Sequence, residues 1–434
     1  MKTSSSYWSS ARAGGVALVL SVMVGVTPHA AQATFSSGST GADGAFSPTC
    51  SPTPCVVETA LPANGVFNFT TVSVPSGVTA TFSRNASNTS VTILATGDVN
   101  VVGAIDVSGQ PAGPSTLPGR GGPGGFDGGV GGSVVSPSGG TGLGPGGGGG
   151  GITSGNVSNQ RPGGGGFGSV GGTAIGGTPS PGGSTYGVPT LIPLIGGSGG
   201  GGGAINACGE AGGGGGGGGA MLIASSGTIT VVGTIAANGG AGSPCVNNCN
   251  NSQTGAGGSG GGIRLVANAI SGAGTISAAG GANGGDTGGC NPAVNAIGGL
   301  GRIRVEAVNL TFAGALGPAS SGFPGPVDVA NFPMVGIVAV NGVAAPVVPR
   351  GSFDAPADVT LSPVATNPVT VSLKASNVPV GTLIAVTVTP DAGAATTVNS
   401  TPLTGTNASS TATATVNLPN GISVVGAAAT FATQ

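Results

Sequence analysis

The sequence predicts an all-β protein: a right-handed parallel β-helix-like solenoid with glycine-rich insertions, then an immunoglobulin-like β-sandwich. Three observations predict it. Units of about 20 residues, each holding three short aliphatic strands, recur along the chain. Glycine-rich spacers interrupt those units at the same corner each time. Beyond residue 333 glycine thins out and alternating Val, Thr and Ala strands take over.

Residues 1–33 have the make-up of a secretory signal. Lys2 and Arg12 precede an apolar run over 14–26, and Ala31-Gln32-Ala33 suits cleavage before Thr34. The run is about 13 residues, short of the roughly 20 that cross a bilayer. No later segment is longer, so the expected product is exported and has no membrane span. His29, Trp8 and Tyr7 leave with the signal, and Tyr186 is the remaining tyrosine. The exported part has eight Lys and Arg against twelve acids, a net charge of 8 − 12 = −4. Charge this sparse gives no basic footprint for nucleic acid. Glycine makes up 94 of 434 residues, but no strict Gly-X-Y period marks a collagen. The abundance of Val, Ile and Thr argues against disorder.

Residues 34–65 form an N-terminal extension in which Cys50 and Cys55 flank Ser-Pro-Thr-Pro and should close a small disulfide loop. Cys208, Cys245, Cys249 and Cys290 all fall in glycine-rich text. An even count in an exported chain favours disulfides, either Cys245–Cys249 with Cys208–Cys290 or a crossed arrangement. A zinc site would need four thiolates, and the spacing is irregular, so no metal is expected.

The solenoid is expected over 66–325. Residues 91–109 (VTILATGDVNVVGAIDVSG), 220–239 (AMLIASSGTITVVGTIAANG), 263–281 and 302–320 share one shape, and 66–84 is a looser copy. Alignment puts Ile93, Ile223, Leu265 and Val305 in one column. Val99, Ile229, Ile270 and Leu310 make a second, and Ile105, Ile235, Ile276 and Leu316 a third. One coil cannot bury its apolar face alone, whereas a stack can.

The insertions, at 110–219, 240–262 and 282–301, all leave after the third strand and so should form one layer on one face. Nearly half of residues 111–219 are glycine. Extended, three-residue-per-turn glycine helices of the polyglycine II type, packed side by side, are the expected form. Ordering glycine costs the most backbone entropy, about 1–2 kcal/mol per residue, so dense lateral hydrogen bonding must offset it.

The C-terminal region, 333–434, has alternating strands at 336–340, 369–375, 383–389, 410–416 and 421–430. Turns Asn341-Gly342 and Asn420-Gly421 bound them. This is the pattern of an immunoglobulin-like sandwich without its Cys and Trp hallmarks.

With these pieces assembled, residues 65–320 resemble a class of secreted bacterial glycine-rich proteins. The resemblance is carried by VTILATGDVNVVGAIDVSG, GRGGPGGFDGG at 119–129, IASSGTITVVGTIAANGG and GGSGGGIRLVA at 257–267. It implies export and a β-helical core but no activity. The polyglycine runs also resemble the adhesin tips of some phage tail fibres, where packed glycine helices present loops.

No catalytic residues are expected. The exported chain lacks the His base of acyl-transfer triads. Its acids are scattered, with Asp98 and Asp106 on different strands, unlike the paired carboxylates of glycosidases. Single copies of Asp127 in GGFDGG and Asp286 in GGDTGG cannot supply the six or more oxygens calcium needs. No cofactor is expected either. Arg264 and Arg304 occupy equivalent positions one rung apart, with Glu306 beside them. They should form an outward stripe, solvated and relieved by a surface ion pair. The expected role is a secreted or cell-surface structural or adhesive protein whose partners are polysaccharide, other surface components or copies of itself. A carbohydrate-active β-helix enzyme and an ice- or matrix-binding protein are the alternatives.

Overall fold

Aliphatic side chains at every second position of short segments dictate strands with one buried face. In the computed structural model these strands stack rung on rung. The described residues are 34–154, 157–175, 178–205, 209–246, 252–285, 290–327, 333–347, 349–353, 356–362 and 366–431. The segment read as a secretory signal, Cys208, Cys249 and Asp286 lie outside them. Among the described residues, every regular element is a strand.

Two parallel sheets form the spine. The first runs Val66–Phe69, Val91–Ala95, Ala220–Val231, Gly262–Ser271, Arg302–Leu310 and Ala319–Gly322, with Val72–Val74 and Val99–Val101 continuing its early rungs. The second runs Cys55–Ala60, Val78–Ser83, Ala104–Asp106, Thr234–Ala236, Thr275–Ser277 and Ala315–Leu316. Each coil gives its first two strands to the first sheet and its third to the second, an arrangement consistent with a β-helix-like solenoid. The three expected columns are present in the register. Ile223 pairs with Ile93 and Leu265, and Leu265 with Val305. Ile229 pairs with Val99 and Ile270, and Ile270 with Leu310. Ile235 pairs with Ile105 and Ile276, and Ile276 with Leu316. Such side chains contribute about 1.5–3 kcal/mol each when fully buried.

The columns begin earlier than the sequence indicated. Cys55–Ala60 lies in register with Val78–Ser83 and adds a rung from within the N-terminal extension. Phe46 closes that end, stacked on Phe69 with ring centroids 5.0 Å apart.

After 333 the sheets are antiparallel, as in a β-sandwich. One sheet is Val343–Ala344, Met334–Val340, Val369–Ser376, Ser409–Val416 and Thr404–Thr406; the other is Thr396–Asn399, Ile384–Pro390 and Ser423–Ala429. Val371, Leu373, Val386 and Val388 share its core. Asn341 and Gly342, at φ of 48° and 77°, form the tight hairpin turn their sequence promises. Three strands there escape sequence reading: Val343–Ala344, Thr396–Asn399 and Thr404–Thr406. Each is short, and none has an apolar alternation long enough to register.

Candidate functional site

The glycine-rich insertions leave the spine at one corner and pack into a single array. Its geometry is clearest at 211–219. Gly212, Gly215 and Gly218 donate their N–H groups to the carbonyls of Gln253, Ala256 and Ser259 at 3.0, 2.9 and 2.8 Å. Ala211, Gly214 and Gly217 donate to Gly132, Gly129 and Phe126, at 2.8, 2.9 and 2.8 Å. Gly213, Gly216 and Gly219 donate to Ser115, Gln110 and Val107 at 3.1, 3.1 and 2.8 Å. Every third residue thus faces the same neighbour, which is what three residues per turn produces. Segments 196–203 and 253–261 repeat the pattern.

Side chains are excluded by this packing. A Cβ on Gly215 would lie 2.0 Å from the Gly240 oxygen, and one on Gly217 2.0 Å from the Gly197 oxygen. Tyr186 is one longer side chain that enters, and its hydroxyl is paired twice. Tyr186 donates its hydroxyl to the Gly196 oxygen at 2.5 Å and accepts from Ser198 Oγ at 3.0 Å. Burial raises its pKa, so the phenol stays protonated. The Arg302 guanidinium sits 5.6 Å from the Phe167 ring centroid and donates to the Tyr186 carbonyl at 3.0 Å.

At the edge away from the spine the segments turn back through loops. Polar side chains knit these loops together. Ser115 Oγ hydrogen-bonds Glu210 Oε2, and Val246 N–H donates to the Glu210 carbonyl at 3.0 Å. Arg161 donates to the carbonyls of Ile175 and Pro292, at 2.6 and 3.1 Å, and to Asn291 Oδ1. Cys245 and Cys290 are disulfide-bonded with Cα atoms 5.8 Å apart, joining loops of two different insertions. Val134 and Val135 project from the same edge, 66% and 91% exposed.

The sequence-designated cysteines divide accordingly. Cys50 and Cys55 are bonded as expected. Of the two arrangements left open, Cys245–Cys249 is not formed, and the Cys245–Cys290 bond fits the crossed one. These bonds point to an oxidising environment.

The Arg264, Arg304 and Glu306 stripe requires correction. The structure brings the three together on the outer face of the first sheet, but not in solvent. Arg264 and Glu306 are 2% and 3% exposed, because Phe35, Leu194 and Val327 pack over that face. Arg264 grips Glu306 with two bonds, Nε to Oε1 at 3.2 Å and Nη2 to Oε2 at 3.0 Å. Arg304 Nε adds one at 3.1 Å and Gly325 N–H another at 2.7 Å. Burial pushes the Glu306 pKa up, but these bonds and the Arg264 charge outweigh it and hold it below the usual value. The cluster is structural.

Sequence reasoning weighed Asp127 only as a calcium ligand and missed its structural role. Its carboxylate is buried and pairs with Arg84 from the spine, the Gly121 N–H at 2.8 Å and Ser352 Oγ at 2.7 Å. One acid therefore ties spine, glycine array and C-terminal region. The array meets the sandwich again where Gly393 N–H donates to the Gly139 carbonyl at 3.3 Å. An isolated Asp among glycines was the only signal available. Among the described residues, no three His, Cys, Asp or Glu side chains gather as metal ligands. Comparison with protein-family models, curated proteins and solved structures returns no match.

Proposed function

We propose that this is a secreted or cell-surface adhesive protein. A right-handed β-helix-like solenoid holds out a polyglycine II-like layer, whose far loop edge contacts polysaccharide or other surface components. The immunoglobulin-like sandwich buttresses the layer. The observation that carries this reading is the three-neighbour hydrogen bonding of 211–219. It fixes many segments as one body and so gathers their loops along one edge, a rigid scaffold presenting variable connections. The sandwich lies against the layer at 139–141, which favours the loop edge over that side for contact. No catalytic step or cofactor is part of this reading.

The test is retention on a panel of immobilised polysaccharides. The exported chain is compared with a variant in which Val134 and Val135 are both serine. Retention that falls at least severalfold in the variant, with an unchanged melting temperature, supports the loop edge. Equal retention of both, or none of either on any polysaccharide, overturns it.

A further inference from the structure

We infer that two copies of this chain pair end to end through the last coil of the spine, about a two-fold axis. The inference stands apart from the adhesive reading. Among the described residues, two of the three aliphatic columns end on exposed leucines, although Phe312 packs on the core beside them. Ile270 and Ile276 are 0% and 1% exposed, yet their next partners, Leu310 and Leu316, are 44% and 41% exposed. In the first sheet Ala319–Gly322 supplies a partial sixth rung. It pairs only with residues 303–306, setting Ser321 on Val305 and leaving Leu310 bare. In the second sheet Ala315–Leu316 is the terminal strand, so its outward N–H and C=O groups meet no strand among the described residues. Val308 and Phe323 add further apolar surface, 39% and 70% exposed.

Stacked-repeat folds ordinarily finish with a polar cap, and sheet edges are guarded by charge. Here no Asp, Glu, Lys or Arg occurs between Glu306 and Asp328. The opposite end is guarded. Phe46 covers its core, and the edge strand Cys55–Ala60 carries Glu58 on its exposed positions. A head-to-tail stack would set the bare columns against that lid and carboxylate. Like ends match instead: two neutral apolar ends, with their Ala315–Leu316 edges antiparallel across the axis. A contact made by the same patch on both copies closes on itself at two. It would also place two loop edges on one particle, raising avidity for any repeating surface.

Sedimentation equilibrium on the purified protein, over a wide range of concentration, tests this. The wild type should reach the mass of two chains and go no further. Leu316→Lys and Leu310→Lys, both at exposed positions, should keep their melting temperatures and raise the dissociation constant at least tenfold. Val135→Lys, at the loop edge, should dimerise as the wild type does. A wild type that stays at single-chain mass overturns the proposal. So do open-ended growth in mass, a dimer indifferent to both leucine variants, or one abolished by Val135→Lys.

Discussion

At the scale of single residues, Glu306 illustrates how a charge comes to be buried at little net cost. Its two oxygens receive three bonds from two guanidiniums and one from a backbone N–H. A carboxylate whose folded pKa is depressed contributes stability above its unfolded pKa. That contribution fades as pH falls through the lower folded value. For Glu306 the loss should therefore begin below the ordinary value of 4.5. Glu306→Gln would leave Arg264 buried without its counter-charge, and breaking such a pair costs about 3–5 kcal/mol. Urea unfolding at pH 7 should show that drop. Below pH 4.5 the gap between variant and wild type should narrow, because the wild type alone loses this contribution. A gap that stays constant down to pH 2 would assign the acid sensitivity to other groups. The sequence placed Arg264, Arg304 and Glu306 on the outer face by strand alternation. It could not reveal the cover, because Phe35, Leu194 and Val327 come from three distant segments with no common pattern.

At the scale of elements, the glycine segments and the strands obey opposite rules. A strand is legible because its side chains alternate, so the columns from Ile93, Val99 and Ile105 can be aligned from sequence. A glycine segment has no side chain to alternate. Its period of three appears only in which neighbour each N–H chooses, and that neighbour is often a hundred residues away. What composition did indicate was exclusion, and substitution can measure it. Gly215→Ala forces a methyl against the Gly240 oxygen, whereas a Cβ on Gly285 meets nothing within 4 Å. The first should lose about 1–3 kcal/mol, the usual cost of overpacking. The second should change thermal stability little. Equal melting temperatures would mean that the array yields easily. The Cys245–Cys290 bond belongs to this scale too, since it staples the loops of two insertions 45 residues apart. Replacing both cysteines with serine removes a cross-link of the loop-closure class worth about 4 kcal/mol. Amide exchange should accelerate first at Val246 and Asn291, beside the bond, and only later in the aliphatic columns. Uniform acceleration throughout would show that this edge and the spine unfold as one unit.

At the scale of the whole molecule, the chain solves a problem that none of its parts solves alone. The aliphatic columns supply the apolar burial. The glycine array supplies many hydrogen bonds but buries only scattered large side chains, such as Phe167, Leu191 and Ile205, so pinning at both sides adds to its hold. The spine pins it through its corner turns, and Asp127 pins it again by engaging Arg84 on one side and Ser352 on the other. The antiparallel strands after 333 were legible as such, from alternation and the Asn341-Gly342 turn. Their placement against the array was not, because the contacts are single polar groups and backbone carbonyls. If Asp127 is the joint, Asp127→Ala should act at a distance. It removes the counter-charge of Arg84 and the Ser352 bond to the carboxylate while leaving every column and every sandwich strand intact. Exchange of the Gly393 N–H, which bonds across to Gly139, should quicken. Amides within Val369–Ser376 and Ala220–Val231 should keep their protection, because both elements pair on two sides within their own sheets. Ser352→Ala should produce the same change at Gly393 in weaker form, since it removes one of the three bonds and no charge. Slow exchange at Gly393 in both variants would show that the backbone contact holds the two parts together without Asp127.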